Sequence, residues 1–269
     1  MHSFNIGDVV VRKSYGGDTL FRISRSDTRD DGRKVFALKG LLYRIEADAD
    51  EDDLLPRSKR SAYYEVQRNL TAMSQQSRSA IPSFLQSRFP RQRTPGMILH
   101  IDSSEEFMNM CLKYYKQMNI KAIGKVIEES RQPEYVRPLL ESTGADIIII
   151  TGHDGYKKNT SKIDNVNNYR NSKYYMQSAR EARKFQPDFD KLCIFSGACQ
   201  SYYEGIMEAG ANFASSPGRV FIHALDPGKV GKSVALTDTS RLVTAEQIAD
   251  ITQSGMEGIG GIATKGHLK

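Results

Sequence analysis

Two short apolar runs constrain the fold of this chain more than any other feature. The first is Ile147 to Ile150, four isoleucines between a Gly-Ala-Asp turn and a glycine-rich exit, and the second is Leu192 to Ser196. Such runs are typical of strands that are buried on both faces. The stretch between them, Tyr169 to Lys184, carries apolar residues at helical spacing. The pattern predicts a right-handed βαβ unit whose two strands are parallel near neighbours.

Each run is followed by a chemically useful residue. His153 comes after the first and Cys199 after the second. Parallel strands bring their carboxyl ends to one edge of a sheet, where α/β folds place their sites. An imidazole and a thiol at one edge indicate a cysteine nucleophile with its base. Cys199 also precedes a predicted helix start at Ser201, where the dipole favours a thiolate. Cys193, in the middle of its strand, is expected to be a core residue.

Motifs for other chemistries fail on spacing. Gly228 to Ser233 resembles a phosphate-binding loop, but Asp226 stands where the first glycine is required. A phosphatase loop needs an arginine six residues after its cysteine, and Gly205 occupies that position after Cys199. The three cysteines include no Cys-x-x-Cys pair, which argues against a disulfide framework and a zinc site. The sequence therefore predicts neither a metal nor a cofactor.

Basic charge is concentrated in one segment. The 269-residue chain has a net charge of +6, yet residues 56–95 alone hold eight basic residues and one acid, which leaves −1 for the rest. We therefore expect no nucleic-acid partner for the folded parts. The segment is also rich in proline and in Ser-Arg pairs. It is predicted to be a linker, helical from Ser61 to Ser74 and flexible afterwards.

The chain is predicted to have three parts. Residues 1–55, with short apolar strands at 9–11, 21–23, 35–38 and 41–45 and turns at Gly16-Gly17 and Asp31-Gly32, predict a small SH3-like β-barrel. Residues 56–95 are the basic linker, and residues 96–269 an α/β domain with a mostly parallel sheet flanked by helices.

Further elements are expected inside the α/β domain. Strands are predicted at Met97–Ile101, Ala122–Ile127 and Val220–Leu225. Capping boxes predict helix starts at Ser103 and Ser201, and Thr244 is expected to cap a last helix, 244–256. No run approaches the roughly 20 apolar residues of a membrane span. The start has no basic-then-apolar secretory pattern, so the expected location is cytoplasmic and reducing.

The residues around the two apolar runs resemble a known family. Strands that end in His-Gly and in Ala-Cys are typical of the caspase-like, clostripain-like cysteine peptidases. Thr-Gly-His-Asp-Gly-Tyr (151–156), Gly-Ala-Cys-Gln-Ser (197–201) and Ala-Gly-Ala-Asn-Phe-Ala-Ser-Ser-Pro (209–217) resemble more closely the YabG family, the sporulation-specific cysteine proteases. The resemblance extends to the opening residues 6–15. It implies a caspase-like sheet and cleavage of spore coat proteins after basic residues, mainly arginine, in the mother cell and on the developing coat.

The resemblance also implies roles for individual residues. Cys199 would attack the scissile carbonyl and His153 would protonate the leaving amine, as a dyad. Glycine directly follows the histidine in the wider superfamily, whereas here Asp154 precedes Gly155, so the backbone at both residues is a candidate for the oxyanion hole.

Arginine specificity implies a buried acid. Relatives that cleave after arginine often carry it two residues before the cysteine, but this chain has Gly197 there. Asp226 is the first candidate for the specificity pocket and Asp154 the second.

Arginine specificity and an arginine-rich linker together predict self-cleavage. The candidate sites are those in the least helical part of the linker, namely Arg78, Arg88, Arg91 and Arg93. The alternative function is a non-catalytic spore-assembly adaptor, in which the barrel and the α/β domain only bind other proteins.

Overall fold

A computed structural model describes residues 3–79, 93–157 and 163–269 of the chain. Two compact units are present, Met1–Pro90 and Arg91–Lys269. Within the described ranges, no helix has both the length and the apolar character that crossing a bilayer requires.

The first unit contains a five-stranded antiparallel sheet. Its strands, in the spatial order β4-β3-β2-β1-β5, are β1 (Val9–Arg12), β2 (Phe21–Thr28), β3 (Lys34–Gly40), β4 (Glu46–Asp50) and β5 (Leu54–Arg57). Glycines with positive φ, among them Gly16 and Gly32, form the turns before and after β2 as predicted. No ladder joins β4 to β5 among the described residues, so the predicted SH3-like barrel is not confirmed. The last strand predicted in this unit, 41–45, is wrong: β4 is formed by the acidic residues that follow it, Glu46–Asp50.

Helix α1 (Lys59–Ser79) follows directly on this sheet. Its Ala62 is buried, and together with Val66 it packs against Val9, Val11 and Leu20 of the first unit. The first turns of α1 are therefore packed structure. The helix also outlasts the predicted end at Ser74, because residues 75–79 contain neither proline nor glycine.

A six-stranded sheet organises the second unit. Its order is β12-β10-β9-β8-β6-β7, and every neighbouring pair is parallel except β10 with β12. The predicted parallel, adjacent pair is therefore confirmed as β8 and β9. The strands are β6 (Ile98–Asp102), β7 (Ala122–Val126), β8 (Ile147–Ile150), β9 (Cys193–Ser196), β10 (Phe213–Ser215) and β12 (Ile259–Gly261), while β11 (Leu242–Val243) pairs separately with β13 (Thr264–Lys265).

Helices cover both faces of this sheet. One face, with Leu99 and Ile148, packs against α3, α4 and α5. The other face packs against α2 and α6, where Gly231 lies close to Ile98 and Ile149. The prediction of a mostly parallel sheet flanked by helices is confirmed. The helices are α2 (Glu105–Gln117), α3 (Gln132–Thr143), α4 (Ser172–Phe185), α5 (Tyr203–Glu208), α6 (Asp226–Leu236), α7 (Ala245–Ile251) and α8 (Gly255–Gly258).

The strand predicted at Val220–Leu225 is wrong. The strand beside β9 is β10, and residues 216–222 form a loop after it. The backbone of this loop binds residues that follow β9: the Gln200 N–H donates to the Val220 carbonyl at 3.1 Å. Its Ile222 is buried and its Val220 and Phe221 are half-buried, and none of the three joins the sheet.

Of the three predicted helix caps, one is confirmed and two are wrong. Thr244 caps α7 in a capping box with Gln247, as predicted, although the helix ends at Ile251. Helix α2 is capped by Ser104, not Ser103. Ser201 does not cap α5, because its hydroxyl donates to the Asp154 carboxylate instead.

Candidate active site

The register of β8 and β9 sets the positions of His153 and Cys199. Ile150 of β8 pairs with Ser196 of β9, and the two site residues each lie three positions beyond that pair. Because the strands are parallel and adjacent, both residues leave the carboxyl edge of the sheet at matched positions. The structure therefore brings together the two loops that carry the predicted nucleophile and base.

The backbone of His153 is held from two sides. Its N–H donates to Glu129 Oε1 at 2.8 Å, and its carbonyl accepts from Asn171 Nδ2 at 2.8 Å and from the Tyr175 hydroxyl at 3.0 Å. The imidazole is buried and stacks on the ring of Phe107, with 5.2 Å between centroids. The histidine is thus fixed in place by groups from α2, from the start of α4 and from the segment after β7.

Cys199 is buried, and its sulfur meets the backbone of Ile222. The Ile222 N–H donates to Sγ at 3.0 Å, while Sγ lies 3.6 Å from the Ile222 carbonyl oxygen. An N–H directed at sulfur stabilises negative charge there. Cys193 is the opposite case: burial raises the pKa of its thiol to about 12, so it is a neutral core thiol at neutral pH.

Backbone conformation explains the small residues around Cys199. Gly197 has φ +114, and a Cβ at that position would meet the Ser215 Cβ at 3.0 Å and Ile206 Cδ1 at 3.2 Å. A side chain of any kind would be strained there. An acid two residues before the cysteine would be strained in the same way. Gln200, directly after Cys199, also has positive φ.

Asp154 is a fully buried carboxylate with four hydrogen-bond donors. Its Oδ1 accepts from the N–H groups of Gly155 at 2.9 Å and Asn171 at 2.8 Å, and its Oδ2 from the hydroxyls of Ser172 at 2.6 Å and Ser201 at 2.9 Å. Burial raises its pKa to about 6, against these hydrogen bonds, which act in the opposite direction. The Gly155 N–H, a predicted oxyanion donor, is engaged by Asp154 here, and its catalytic role stays a prediction.

Glu129 is a site residue that sequence reasoning missed. It is buried after β7, accepts from the His153 N–H and accepts a short hydrogen bond from the Ser103 hydroxyl. A Cβ on Gly152 would lie 2.5 Å from its Oε1, so the carboxylate packs directly on the backbone before His153. The available signal was its position just beyond the end of β7, at the same edge of the sheet.

Asp226 occupies a different environment from the one expected of a specificity acid. It begins α6 and is fully buried. Its oxygens accept from the Gln253 N–H at 3.0 Å and from the N–H and hydroxyl of Ser254 at 3.0 and 2.6 Å. The Lys229 ammonium lies 3.7 Å away. These contacts join α6 to the turn between α7 and α8, and the specificity role stays a prediction.

The loop 216–222, which contacts the Cys199 sulfur, is held by Arg219. Its guanidinium donates to the Tyr169 hydroxyl at 3.0 Å and to the Ser216 carbonyl at 3.0 Å, and pairs with Glu204. The Tyr169 ring in turn stacks on Tyr202, with 5.5 Å between centroids. The arginine therefore joins the loop to α5 and to the residues before α4.

The predicted self-cleavage residues are only partly described. Arg78 lies in α1, so its backbone is helical. Arg88 and Arg91 lie outside the described residues. Arg93 pairs with Asp238 at 2.7 Å and has a side chain 53% exposed.

Comparison with known proteins gives the family. The profile of the family described as YabG peptidase U57 matches residues 5–269. The chain is 35% identical over 280 residues to the sporulation-specific protease YabG of Bacillus subtilis (strain 168), across 99% of this chain and 97% of that protein. No solved structure matches the chain. Within the described residues, no group of three or more His, Cys, Asp or Glu side chains is arranged to hold a metal ion. A profile match from residue 5 to the last residue and this identity over the full length show that the chain belongs to the YabG peptidase U57 family.

Proposed function

We propose that the protein is a sporulation-specific cysteine endopeptidase that cleaves spore coat proteins after basic residues, mainly arginine. Family membership supports a peptidase, and the name of the Bacillus subtilis relative supports a role in sporulation. One observation carries the cysteine mechanism: His153 and Cys199 lie three residues beyond the paired residues Ile150 and Ser196, at one edge of the sheet. The proposed place of action is the mother cell, at the developing coat.

In the proposed mechanism, the thiol proton of Cys199 passes to His153 and the sulfur attacks the scissile carbonyl. The C–N bond breaks as His153 returns the proton to the leaving amine, which leaves a thioester on Cys199. Water, deprotonated by His153, then hydrolyses the thioester and restores the thiol. The Ile222 N–H, 3.0 Å from Sγ, favours the thiolate before attack. Since Cys199 is buried, a peptide reaches the sulfur only when part of the loop 216–222 moves.

Arginine selectivity requires a carboxylate. A guanidinium that enters a partly dry pocket loses its hydrogen bonds to water, and a carboxylate replaces them with charge-assisted hydrogen bonds. Asp226 is the proposed residue, with Asp154 as the second candidate. A substrate guanidinium at Asp226 would replace the Lys229 ammonium, which lies 3.7 Å from it. Asp226→Asn should then lower kcat/KM for arginyl peptides far more than does the control Asp50→Asn, at the end of β4 in the first unit, where Asp50 pairs with Arg29. Equal, small losses in both variants would assign the selectivity to another carboxylate.

The mechanism is tested by removing each member of the dyad. Cys199→Ala and His153→Ala should abolish hydrolysis of arginyl and lysyl reporter peptides while the circular dichroism spectrum is unchanged. Cys193→Ala and His267→Gln are the matched controls, since Cys193 lies inside β9 and His267 approaches Gly96, before the amino end of β6. Full activity in Cys199→Ala would refute the cysteine mechanism. Coat processing that continues normally with Cys199→Ala would favour the adaptor function instead.

Self-cleavage follows from the same activity. The aged wild-type protein should be cut after Arg88, Arg91 or Arg93, whereas Arg78 is less accessible to a protease because its backbone is helical. Mass spectrometry of the wild-type protein and of Cys199→Ala under the same conditions measures this. A segment that remains intact while reporter peptides are hydrolysed normally would show that self-cleavage does not occur.

A further inference from the structure

Asp154 connects the loop that carries His153 to the loop that carries Cys199. Its four donors come from three places: its own loop (Gly155), the start of α4 (Asn171 and Ser172) and the loop after β9 (Ser201). The side chain is fully buried. A single carboxylate therefore joins the segments that follow β8 and β9, next to the hydrogen bond from the Thr151 hydroxyl to the Gly197 carbonyl at 2.8 Å.

The two hydroxyls at Oδ2 extend this connection to both sides of Cys199. Ser201 Oγ accepts from the Ala198 N–H at 3.0 Å, and Ser172 Oγ accepts from the Tyr202 N–H at 2.8 Å. Each hydroxyl thus donates to the carboxylate and accepts from the backbone. The residue before Cys199 and the residue three positions after it are anchored to the same oxygen atom.

The same network reaches the backbone of His153. Asn171 donates its N–H to Asp154 Oδ1 and its side-chain Nδ2 to the His153 carbonyl at 2.8 Å. Both predicted catalytic residues are therefore positioned through residues that contact Asp154.

The direction of these hydrogen bonds depends on an acceptor at position 154. An ionised carboxylate has only acceptors, so the Ser172 and Ser201 protons point towards it and their lone pairs face the backbone N–H groups. An asparagine of the same shape would place its NH₂ group against both hydroxyls or, with the amide turned over, against the N–H groups of Gly155 and Asn171. In the first case the hydroxyl protons lose their acceptor, and in the second the two N–H groups lose theirs.

We propose that Asp154 is the positioning residue of the site, holding the His153 and Cys199 loops in register through Ser172 and Ser201. The catalytic consequence rests on the proposed cysteine mechanism, whereas the geometric consequence for Cys199 does not. Misplacement of a nucleophile by about 1 Å lowers the rate on the order of 10²-fold.

Asp154→Asn is the principal variant. It should lower kcat for an arginyl reporter peptide about 10²-fold while KM changes less than about threefold, because all four donors to Asp154 are protein groups and Asp226 is the proposed partner of the substrate guanidinium. A rise in KM much larger than this would assign Asp154 to the specificity pocket instead. Asp146→Asn is the matched control: Asp146 lies just before β8, at the other end of the same strand, and accepts from the Met97 N–H at 2.9 Å and Lys269 Nζ at 2.6 Å. Its kcat should remain within about twofold of wild type.

Ser201→Ala supplies a second test, which also serves if Asp154→Asn fails to fold. It removes the connection to the Ala198 N–H while the other three donors of Asp154 remain. We expect kcat to fall about tenfold, and the double variant with Asp154→Asn to be no worse than about threefold below Asp154→Asn alone, as for residues that act as a unit. Multiplicative losses in the double variant would show that the two residues act separately and would overturn the connection.

Alkylation of cysteine separates this proposal from the proposed function. Asp154→Asn should raise the rate of Cys199 alkylation by iodoacetamide about tenfold, because the loop that carries Cys199 is no longer anchored through Ser172 and Ser201 and moves more easily away from the loop 216–222. Cys111 and Cys193 of the same molecule, both buried, should react at wild-type rates. A rise confined to Cys199 supports the positioning role even if Cys199→Ala were to retain peptidase activity. Wild-type kcat together with unchanged Cys199 alkylation in Asp154→Asn would overturn the proposal.

Discussion

A buried polar side chain with four hydrogen bonds lies at each end of the strands of the parallel sheet, and these two side chains differ in charge. At the carboxyl edge it is Asp154, an anion whose donors are two N–H groups and two hydroxyls. At the amino edge it is Asn212, which precedes β10. Its Oδ1 accepts from the Ile194 N–H at 2.9 Å and Arg183 Nη2 at 2.7 Å, and its Nδ2 donates to the Phe189 carbonyl and the Thr264 hydroxyl.

This difference in charge goes with a difference in role: we assign Asn212 to stability and Asp154 to function. Asn212 is neutral, and Arg183 beside it donates to four backbone carbonyls, those of residues 186, 188, 192 and 210. That network matches donors to acceptors and holds chain segments together. Asp154 has four donors but no cation among them, and a buried charge of this kind lowers stability. The buried anion lies beside His153 and Cys199, whereas the buried amide, with the Arg183 guanidinium next to it, lies at the far edge.

The largest expected contrast is between the nucleophile and the amino-edge network. Cys199→Ala should lower kcat at least about 10³-fold and leave the midpoint of thermal unfolding within a few degrees of wild type. Steady-state hydrolysis and differential scanning calorimetry on the same preparation measure both. A stable, fully active Cys199→Ala protein would show that the carboxyl edge does not carry the catalytic nucleophile.

Asn212→Ala should show the reverse. Loss of four hydrogen bonds leaves the Ile194 N–H and the Phe189 carbonyl without a partner, and we expect the free energy of unfolding to fall by about 2–4 kcal/mol. Below the lowered melting temperature, kcat should stay within about twofold of wild type. Urea unfolding gives the stability change. A loss of kcat as large as that of Asp154→Asn would mean that the two edges do not differ in function.

Asp154 should also give the carboxyl edge a pH dependence that the amide of Asn212 cannot give the amino edge. Its pKa rises from 3.8 to about 6 on folding, because burial disfavours the ionised form. A raised pKa means that the contribution of this group is most favourable below pH 4 and is lost as the pH rises towards 6. Relative to Asp154→Asn, the wild-type protein should therefore lose on the order of 3 kcal/mol of stability between pH 4 and pH 7.

Urea unfolding of both proteins at several pH values isolates this difference, since all other carboxylates are shared. Asn212→Ala against wild type is the control, and its stability difference should be constant across the same range. If the free energy of unfolding varied with pH in the same way in the wild-type protein and in Asp154→Asn, the raised pKa of Asp154 would be contradicted.

The smallest expected effect is that of Asp146→Asn. The Lys269 ammonium that pairs with Asp146 is largely exposed, and such ion pairs contribute about 1 kcal/mol or less. Thermal unfolding should shift by only a few degrees, and the shift should shrink in high salt because salt screens exposed charges. A larger, salt-independent loss would mean that the bond to the Met97 N–H matters more than the ion pair.

Sequence patterns predicted the part of this molecule that local chemistry controls. The isoleucine run and the helical spacing after it gave β8, α4 and β9 in the correct order, and with them the matched positions of His153 and Cys199. Thr244 was correctly predicted as a cap, because its capping box is a local interaction.

Tertiary contacts decided what sequence patterns could not predict. Ser201 has the spacing of a helix cap, but its hydroxyl binds a carboxylate 47 residues earlier in the chain. The apolar residues of 220–225 resemble a strand, yet the backbone there binds Gln200 and the Cys199 sulfur. Glu129 becomes a neighbour of His153 only through the order of the strands. The network around Asp154 therefore had no signal in the sequence beyond an acid next to a histidine.

The most direct test of the central claim is covalent labelling of the wild-type protein with an arginyl chloromethyl ketone, followed by peptide mass spectrometry. The reagent needs both a guanidinium site and an activated thiolate next to a histidine. We predict one label per molecule, on Cys199, with none on Cys111 or Cys193 and a strongly reduced rate in His153→Ala. Labelling of another residue, or peptide hydrolysis that survives in Cys199→Ala, would contradict a cysteine peptidase site at the carboxyl edge of this sheet.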